Sequence, residues 1–327
     1  MLAALALAVA RMQPVGAQVA ARSYRIGVLG NATRAAVDLN PLWQAFLEGL
    51  RRRGYREGQN LAIEYALGEG HAERLPALVA ALVASKVDCI VVPGPSGMQA
   101  ARQATQTIPI VMIAGSADPV GEGLIASFAR PGGNITGLTY AVSPERFGKQ
   151  LELLREAAAG LRRFAVLWDA EAELYERTWA PHMEKVALEL GLQHTGPILV
   201  RSADDYAAAF ADMAARDIGG LVAASARLNF ANRARISELA LAHGIAVMAS
   251  FAEFARSGSL MSFGPDFPDL YRRGAGYVDK VLQGTPAGEI PVEQPLKYHF
   301  AVNLRTAAAL KLELSDLLLA RADEVIE

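Results

Sequence analysis

From Tyr24 onward, short runs of β-branched and other apolar residues alternate with segments whose apolar positions recur every three or four residues. That alternation predicts βαβ units feeding a mostly parallel sheet. RIGVLG (Arg25 to Gly30) reads as a buried strand. Trp43, Phe46, Leu47 and Leu50 then fall at i, i+3, i+4 and i+7 and stop before Gly54, which predicts a helix. A second strand is expected near Asn60 to Tyr65, and a second helix with Leu75, Leu78, Val79 and Leu82 on one face. VDCIVV (Val87 to Val92) and IPIVMI (Ile108 to Ile113) follow as strands on either side of the helical MQAARQAT, making a first lobe.

After the loop RPGGNITG (Arg130 to Gly137) the rhythm restarts with FAVLW (Phe164 to Trp168) and a helix carrying Trp179, Met183, Val186 and Leu190. A strand near Ile198 to Val200, a helix with Phe210 and Met213, the strand GLVAAS, a helix with Ile236 and Leu239, and the strand IAVMAS complete a second half. Two such halves predict two doubly wound lobes. The strand SLMSFG (Ser259 to Gly264), a helix with Leu270, Gly274, Val278 and Val281, and the strand YHFAVN are too few for a third domain. They are expected to return and complete the first lobe through a hinge crossed more than once. No period of 20 to 50 residues and no low-complexity tract suggests a solenoid.

Length agrees with that division, since 327 residues at about 150 per domain gives two. Thirty-two basic against 34 acidic side chains leave a net charge of −2, which offers no field for nucleic acid or an anionic membrane surface. The single cysteine, Cys89, lies inside an apolar run, so neither a disulfide framework nor a thiolate metal site can be built. Leu2 to Ala10 is apolar but too short to span a bilayer, and Pro14, Gly16 and Ala17 follow. Residues 1–17 read as a signal peptide cleaved after Ala17, although the usual positive n-region is missing. A periplasmic location follows, with no cysteine placed for a lipid anchor.

Several segments together resemble one family. They are RIGVLG, AFLEGLRRRGYREGQNLAIEYALGEG, RLPALVAALVASKVDCIVV, QATQTIPIVMIAGSADPVGEGLIASFARPGGNITG, LYRRGAGYVDKVLQG and IPVEQPLKYHFAVNLRTAAALKLELSDLLLARADEVIE, and they cover nearly all of the chain after residue 17. The chain resembles the solute-binding components of ABC transporters with the type I periplasmic-binding-protein fold, in the branch with tryptophan- and tyrosine-binding members. The resemblance implies an α/β fold of two doubly wound parallel-sheet lobes joined by three crossings, placed near Ile135 to Tyr140, Met261 to Asp266 and Val302 to Leu304. It divides the chain into a first lobe of residues 24–137 plus 266–302 and a second of 138–265 plus 303–327. It further implies a monomer that hands a small-molecule solute to an ABC permease and its ATPase subunits, meeting the membrane only through the permease. Two departures stand out. Trp168, Asp169, Ala170 and Glu171 replace the Asn-Pro-type turn common in the family, and Ser225 with Ala226 replaces an aspartate-proline pair.

In open doubly wound sheets, ligands sit beyond the carboxyl ends of strands. That rule selects Asn31, Ser96, Gly97, Ser116 and Ala117 in the first lobe, and Asp169, Ser225, Ser250 and Phe251 in the second. Ser96 and Gly97 begin a helix, where N–H groups and a hydroxyl can face a carboxylate, or where Ser96 simply caps the helix. Ser116 carries the same two readings. Asp118 before Pro119 reads as a cap. Asp169 and Asp266 are candidates to pair with a ligand ammonium, or turn residues. Tyr140 and Phe251 suit an aromatic ligand body or a core, and Arg227 a second carboxylate or solvent.

Catalytic motifs are missing. His71, His182, His194, His243 and His299 show no HExxH spacing, and neither GxSxG nor GxxxxGK[ST] occurs. The expectation is capture of a small carboxylate-bearing solute, an amino acid or aromatic acid, with no catalytic residue, metal or cofactor. The rivals are a ligand-sensing protein of the same fold, which would lack the DNA-binding headpiece of lactose-repressor-type proteins before Tyr24, and an enzyme with a scattered site.

Overall fold

The apolar runs pair into two sheets. The computed structural model describes residues 23–116, 118–140, 144–168, 180–224 and 226–327. The expected signal peptide, and Ala117, Asp169 and Ser225 of the expected site, lie outside the described residues. β1 (Tyr24–Gly30), β2 (Leu61–Leu67), β3 (Cys89–Pro93), β4 (Ile110–Ile113) and β5 (Ile135–Leu138) form a parallel sheet in the order β2-β1-β3-β4-β5. The second sheet contains β6 (Arg163–Trp168), β7 (Gln193–Leu199), β8 (Gly220–Ala223), β9 (Ala246–Ala249), β10 (Met261–Pro265), β11 (Tyr298–Asn303) and β12 (Glu324–Ile326). Its order is β12-β11-β10-β9-β8-β6-β7, and only β10 and β11 run antiparallel.

Both sheets are covered on both faces, which is why their strands read as unbroken apolar runs rather than alternating ones. In β3, Cys89 and Val91 join one core while Ile90 and Val92 join the core on the opposite face. In β8, Val222 faces one core and Leu221 and Ala223 the other.

The sequence pattern misses several elements, two of them flanking the first crossing. β5 falls where a loop is expected, and its four residues are buried. Gly137 has φ +127°, and a Cβ there would lie 2.0 Å from the Met112 carbonyl oxygen, so only glycine lets β5 approach β4. No helix or strand is expected between Gly137 and Phe164 either, yet a helix spans Pro144–Ala157. It buries Phe147, Leu151 and Leu154, whose spacing of four and three carries the helical signal.

Lobe membership differs from expectation at the C-terminal end. The helix Phe267–Leu282 does return to the first lobe, where it packs on the helix Pro41–Arg52. The two approach so closely that a Cβ on Gly49 would lie 2.7 Å from the Arg272 carbonyl oxygen. Residues 298–302, read with the first lobe, instead form most of β11 and pair antiparallel with β10 in the second sheet. The third crossing therefore lies between Glu293, which bridges Leu138, and Tyr298, rather than at Val302 to Leu304. The other two join β5 to the helix Pro144–Ala157 and β10 to the helix Phe267–Leu282.

The crossings are tied together. The Thr139 amide donates to the Glu293 carbonyl at 3.1 Å and the Asp266 amide to the Lys297 carbonyl at 3.0 Å. Arg146, 4% exposed, lies 4.2 Å over the Tyr298 ring and donates to its hydroxyl at 2.6 Å. Gln150 Nε2 donates to the Phe263 carbonyl at 2.7 Å. These contacts tie the segments of the three crossings to one another.

Candidate functional site

Strand ends from both sheets and the start of the returning helix converge on a cavity of about 320 Å³. The first lobe supplies Leu42, Ser96 and Ala114, with Tyr140 at the first crossing and Phe267 and Tyr271 from the first turns of the returning helix. The second lobe supplies Ala226, Phe230, Phe251 and Glu253. A second cavity of about 340 Å³, bounded by Asn31, Asn40, Trp43 and Leu67, is built from the first lobe alone. Ser96 and Tyr271 border both.

Five aromatic rings, from Tyr140, Phe230, Phe251, Phe267 and Tyr271, line the first cavity. Phe251 meets Phe267 across the lobes at 5.3 Å with 35° between the rings, and meets Phe230 edge-on, also at 5.3 Å. Phe251 sits just after β9 and leads into the short helix Ala252–Arg256, so its ring leaves the sheet at the strand end. Phe267 opens the helix Phe267–Leu282, with Pro268 behind it in the first turn.

The tyrosines bring polar ends to this wall. Tyr271 is 8% exposed, and its hydroxyl makes no hydrogen bond among the described residues. Burial alone pushes that phenol up to about 12, so it stays a neutral donor and acceptor. Burial, with Glu122 adding to it, raises the Tyr140 phenol too.

One charged residue borders the cavity among the described residues: Glu253. Its carboxylate is 4.0 Å from Arg256, and its side chain is 43% exposed. Arg256 is committed elsewhere, since its Nε and Nη2 donate to the two oxygens of Glu324 at 2.8 and 2.7 Å. Glu253 is thus left facing the cleft without a firm partner.

The expected site residues separate into two groups. Asn31, Ser96, Tyr140 and Phe251 border the cavities. Ser96 is exposed there and caps neither the turn Pro95–Gly97 nor the helix Met98–Ala104. Gly97, Ser116, Ser250 and Asp266 do not border them. Gly97 is buried under Leu29 and Val92. The Ser116 hydroxyl donates to Glu122 at 2.8 Å and accepts from the Asp118 amide at 3.0 Å, so its hydrogen bonds are spent inside the lobe. Ser250 is 3% exposed and accepts from Gln150. Asp266 caps the returning helix, accepting from the Asp269 amide at 2.9 Å. Asp118 holds a turn through the Gly121 amide at 2.8 Å, with no helix after Pro119.

Strand-end reasoning misses Leu42, Phe230, Glu253, Phe267 and Tyr271. All lie within helices. Tyr271 offered the one usable signal, being a bulky polar aromatic directly after Leu270 of the helix's buried face.

Comparisons with known proteins agree with this architecture. The profile of the family described as ABC transporter substrate binding protein matches residues 37–326. A "Tyrosine-binding protein" of Clostridioides difficile (strain R20291) is 25% identical over 276 residues, which span 84% of this chain and 78% of that protein. Among solved structures, the ABC domain from Streptococcus pneumonia in complex with L-Trp is similar with a TM-score of 0.79 at 22% identity, covering 93% of this chain and 100% of that one. The ligand-free, open structure of a substrate binding protein with adhesive properties from Clostridium difficile has a TM-score of 0.75 at 21% identity, covering 93% and 99%.

Proposed function

The chain belongs to the ABC transporter substrate-binding protein family, and from that premise we propose that it captures a small aromatic solute, of amino-acid size, for import by lobe closure. The observation that carries this reading is the aromatic cavity with walls from both lobes: Tyr140, Phe267 and Tyr271 on one side, Phe230 and Phe251 on the other. A solute held there touches both lobes only when they are closed, so it binds the closed form more tightly and shifts the population toward it. A solute bound to one lobe alone has no such leverage. The names of the relatives, one tyrosine-binding and one bound to L-Trp, support an aromatic amino acid.

The carboxylate of such a solute would meet Ser96, whose free hydroxyl borders both cavities. In this reading the closed protein docks on a permease driven by ATPase subunits, and the solute is passed on unchanged. The leader of residues 1–17 directs export to the periplasm, and no helix among the described residues is long and apolar enough to cross a membrane.

Thermal unfolding of the exported protein against a panel of amino acids, aromatic acids and aromatic amines tests the reading, with calorimetry on the hits. A solute at a hundred times its Kd raises stability by about 2.7 kcal/mol. If tryptophan, tyrosine, phenylalanine and their acid and amine analogues all leave the melting temperature unmoved, the capture reading fails.

A further inference from the structure

The described wall of the shared cavity presents one charged side chain, and it is an acid. Glu253 lies 4.0 Å from an Arg256 already engaged by both oxygens of Glu324. Phe230 and Phe251 share the second-lobe wall with it, and Tyr140 and Tyr271 stand on the opposite wall. Aromatic faces are electron-rich and attract cations, while a carboxylate gains nothing from them and is repelled by Glu253. The Tyr271 hydroxyl, 8% exposed and without a hydrogen bond among the described residues, adds an acceptor for an N–H group. No described lining residue of this cavity is a lysine or arginine.

Resting on the capture reading above, we propose that the charged group selected by the side chains of this cleft is a protonated amine, so that its ligands include aromatic amines with no carboxylate at all. The ring of such a ligand packs among Phe230, Phe251 and Phe267, and its ammonium faces Glu253 and the tyrosine rings. A carboxylate, where the solute has one, is tolerated rather than required. The ligand class therefore extends from aromatic amino acids to their decarboxylated counterparts and excludes their deaminated ones.

Calorimetry on the full mature chain separates the possibilities, using three matched sets: tyrosine, tyramine and 4-hydroxyphenylpropionate; tryptophan, tryptamine and indole-3-propionate; phenylalanine, phenethylamine and 3-phenylpropionate. The expected result is that each amine binds within about tenfold of its amino acid or tighter, and each deaminated acid at least about a hundredfold more weakly. Glu253→Gln should weaken amine binding by about tenfold or more, and Tyr271→Phe by about fivefold, with melting temperatures unchanged. Binding of the amino acids and deaminated acids without the amines overturns the inference and leaves the capture reading standing. So does full amine affinity in Glu253→Gln, or loss of amino-acid binding in Arg227→Ala with Glu253→Gln unaffected. If no member of any set binds, the capture reading falls and takes this inference with it.

Discussion

Phe251 and Phe254 are three residues apart on the same short segment, and replacing each by alanine should separate ligand binding from folding. The Phe251 ring is half-buried and makes two ring contacts at 5.3 Å, one of them to Phe267 across the cleft. A ring pair is worth about 0.5–1.5 kcal/mol beyond its area. Losing the cross-lobe pair alone shifts the closed-to-open ratio by roughly 2- to 12-fold. A further loss of about 0.75–1.5 kcal/mol is expected from the ring face that a solute would cover, half the value for full burial of such a side chain. Phe251→Ala should therefore raise the Kd for L-tryptophan roughly ten- to a hundredfold, with a small effect on melting. Phe254, 1% exposed, packs in the core with Phe210, Ile236 and Val247. Its truncation should cost about 3–5 kcal/mol, lowering the melting temperature by roughly 6–20 °C at about 2–4 °C per kcal/mol. Calorimetry below the transition, paired with thermal unfolding, measures both effects. A Phe251→Ala protein that binds L-tryptophan within a factor of two of the parent would refute the cleft assignment of this ring.

Ser96→Ala should weaken solute binding by about three- to tenfold at constant melting temperature. Ser116→Ala should instead lose about 1–2 kcal/mol of stability at constant Kd, because its hydroxyl bonds are internal; the opposite pattern in calorimetry would reverse their roles. Gly137→Ala should destabilise the first lobe by about 2–5 kcal/mol, combining backbone strain at φ +127° with a clash against Met112. An unchanged denaturation midpoint would contradict that close approach. Arg256 holds the Glu324 carboxyl below the usual glutamate range by direct hydrogen bonding. A depressed folded-state value means that this stabilisation is present above the unfolded pKa of about 4.3 and is lost as pH falls through the lower folded value. Stability measured from pH 6 downward should therefore decline less steeply in Arg256→Gln than in the parent, and parallel curves would show that the pair is not the cause.

Much of the architecture is legible in the chain. The apolar runs at Arg25 to Gly30, Val87 to Val92 and Ile108 to Ile113 all become strands, because a parallel sheet covered on both faces demands apolar residues at every position. The i, i+3, i+4, i+7 set from Trp43 to Leu50 becomes the buried face of a helix, apart from half-buried Leu47. β5 is not legible, since its Thr136 and Gly137 carry no strand signal until Met112 is beside them. The candidate site is only partly legible. Ser96 and Ser116 occupy equivalent strand-end positions, yet one faces the cavities and the other bonds inward to Glu122.

Periodicity along the chain specifies most of the strands and helices and the faces they must bury, and hence two doubly wound lobes, but not β5 or the helix Pro144–Ala157. Tertiary structure alone decided that Tyr298–Asn303 pairs with β10, and that Tyr271 and Phe267 meet Phe251 and Glu253 across a cleft. The reason is physical. Periodicity reflects burial, which each segment records locally, whereas strand partners and cavity walls depend on groups far apart in the chain that meet only once the lobes have formed.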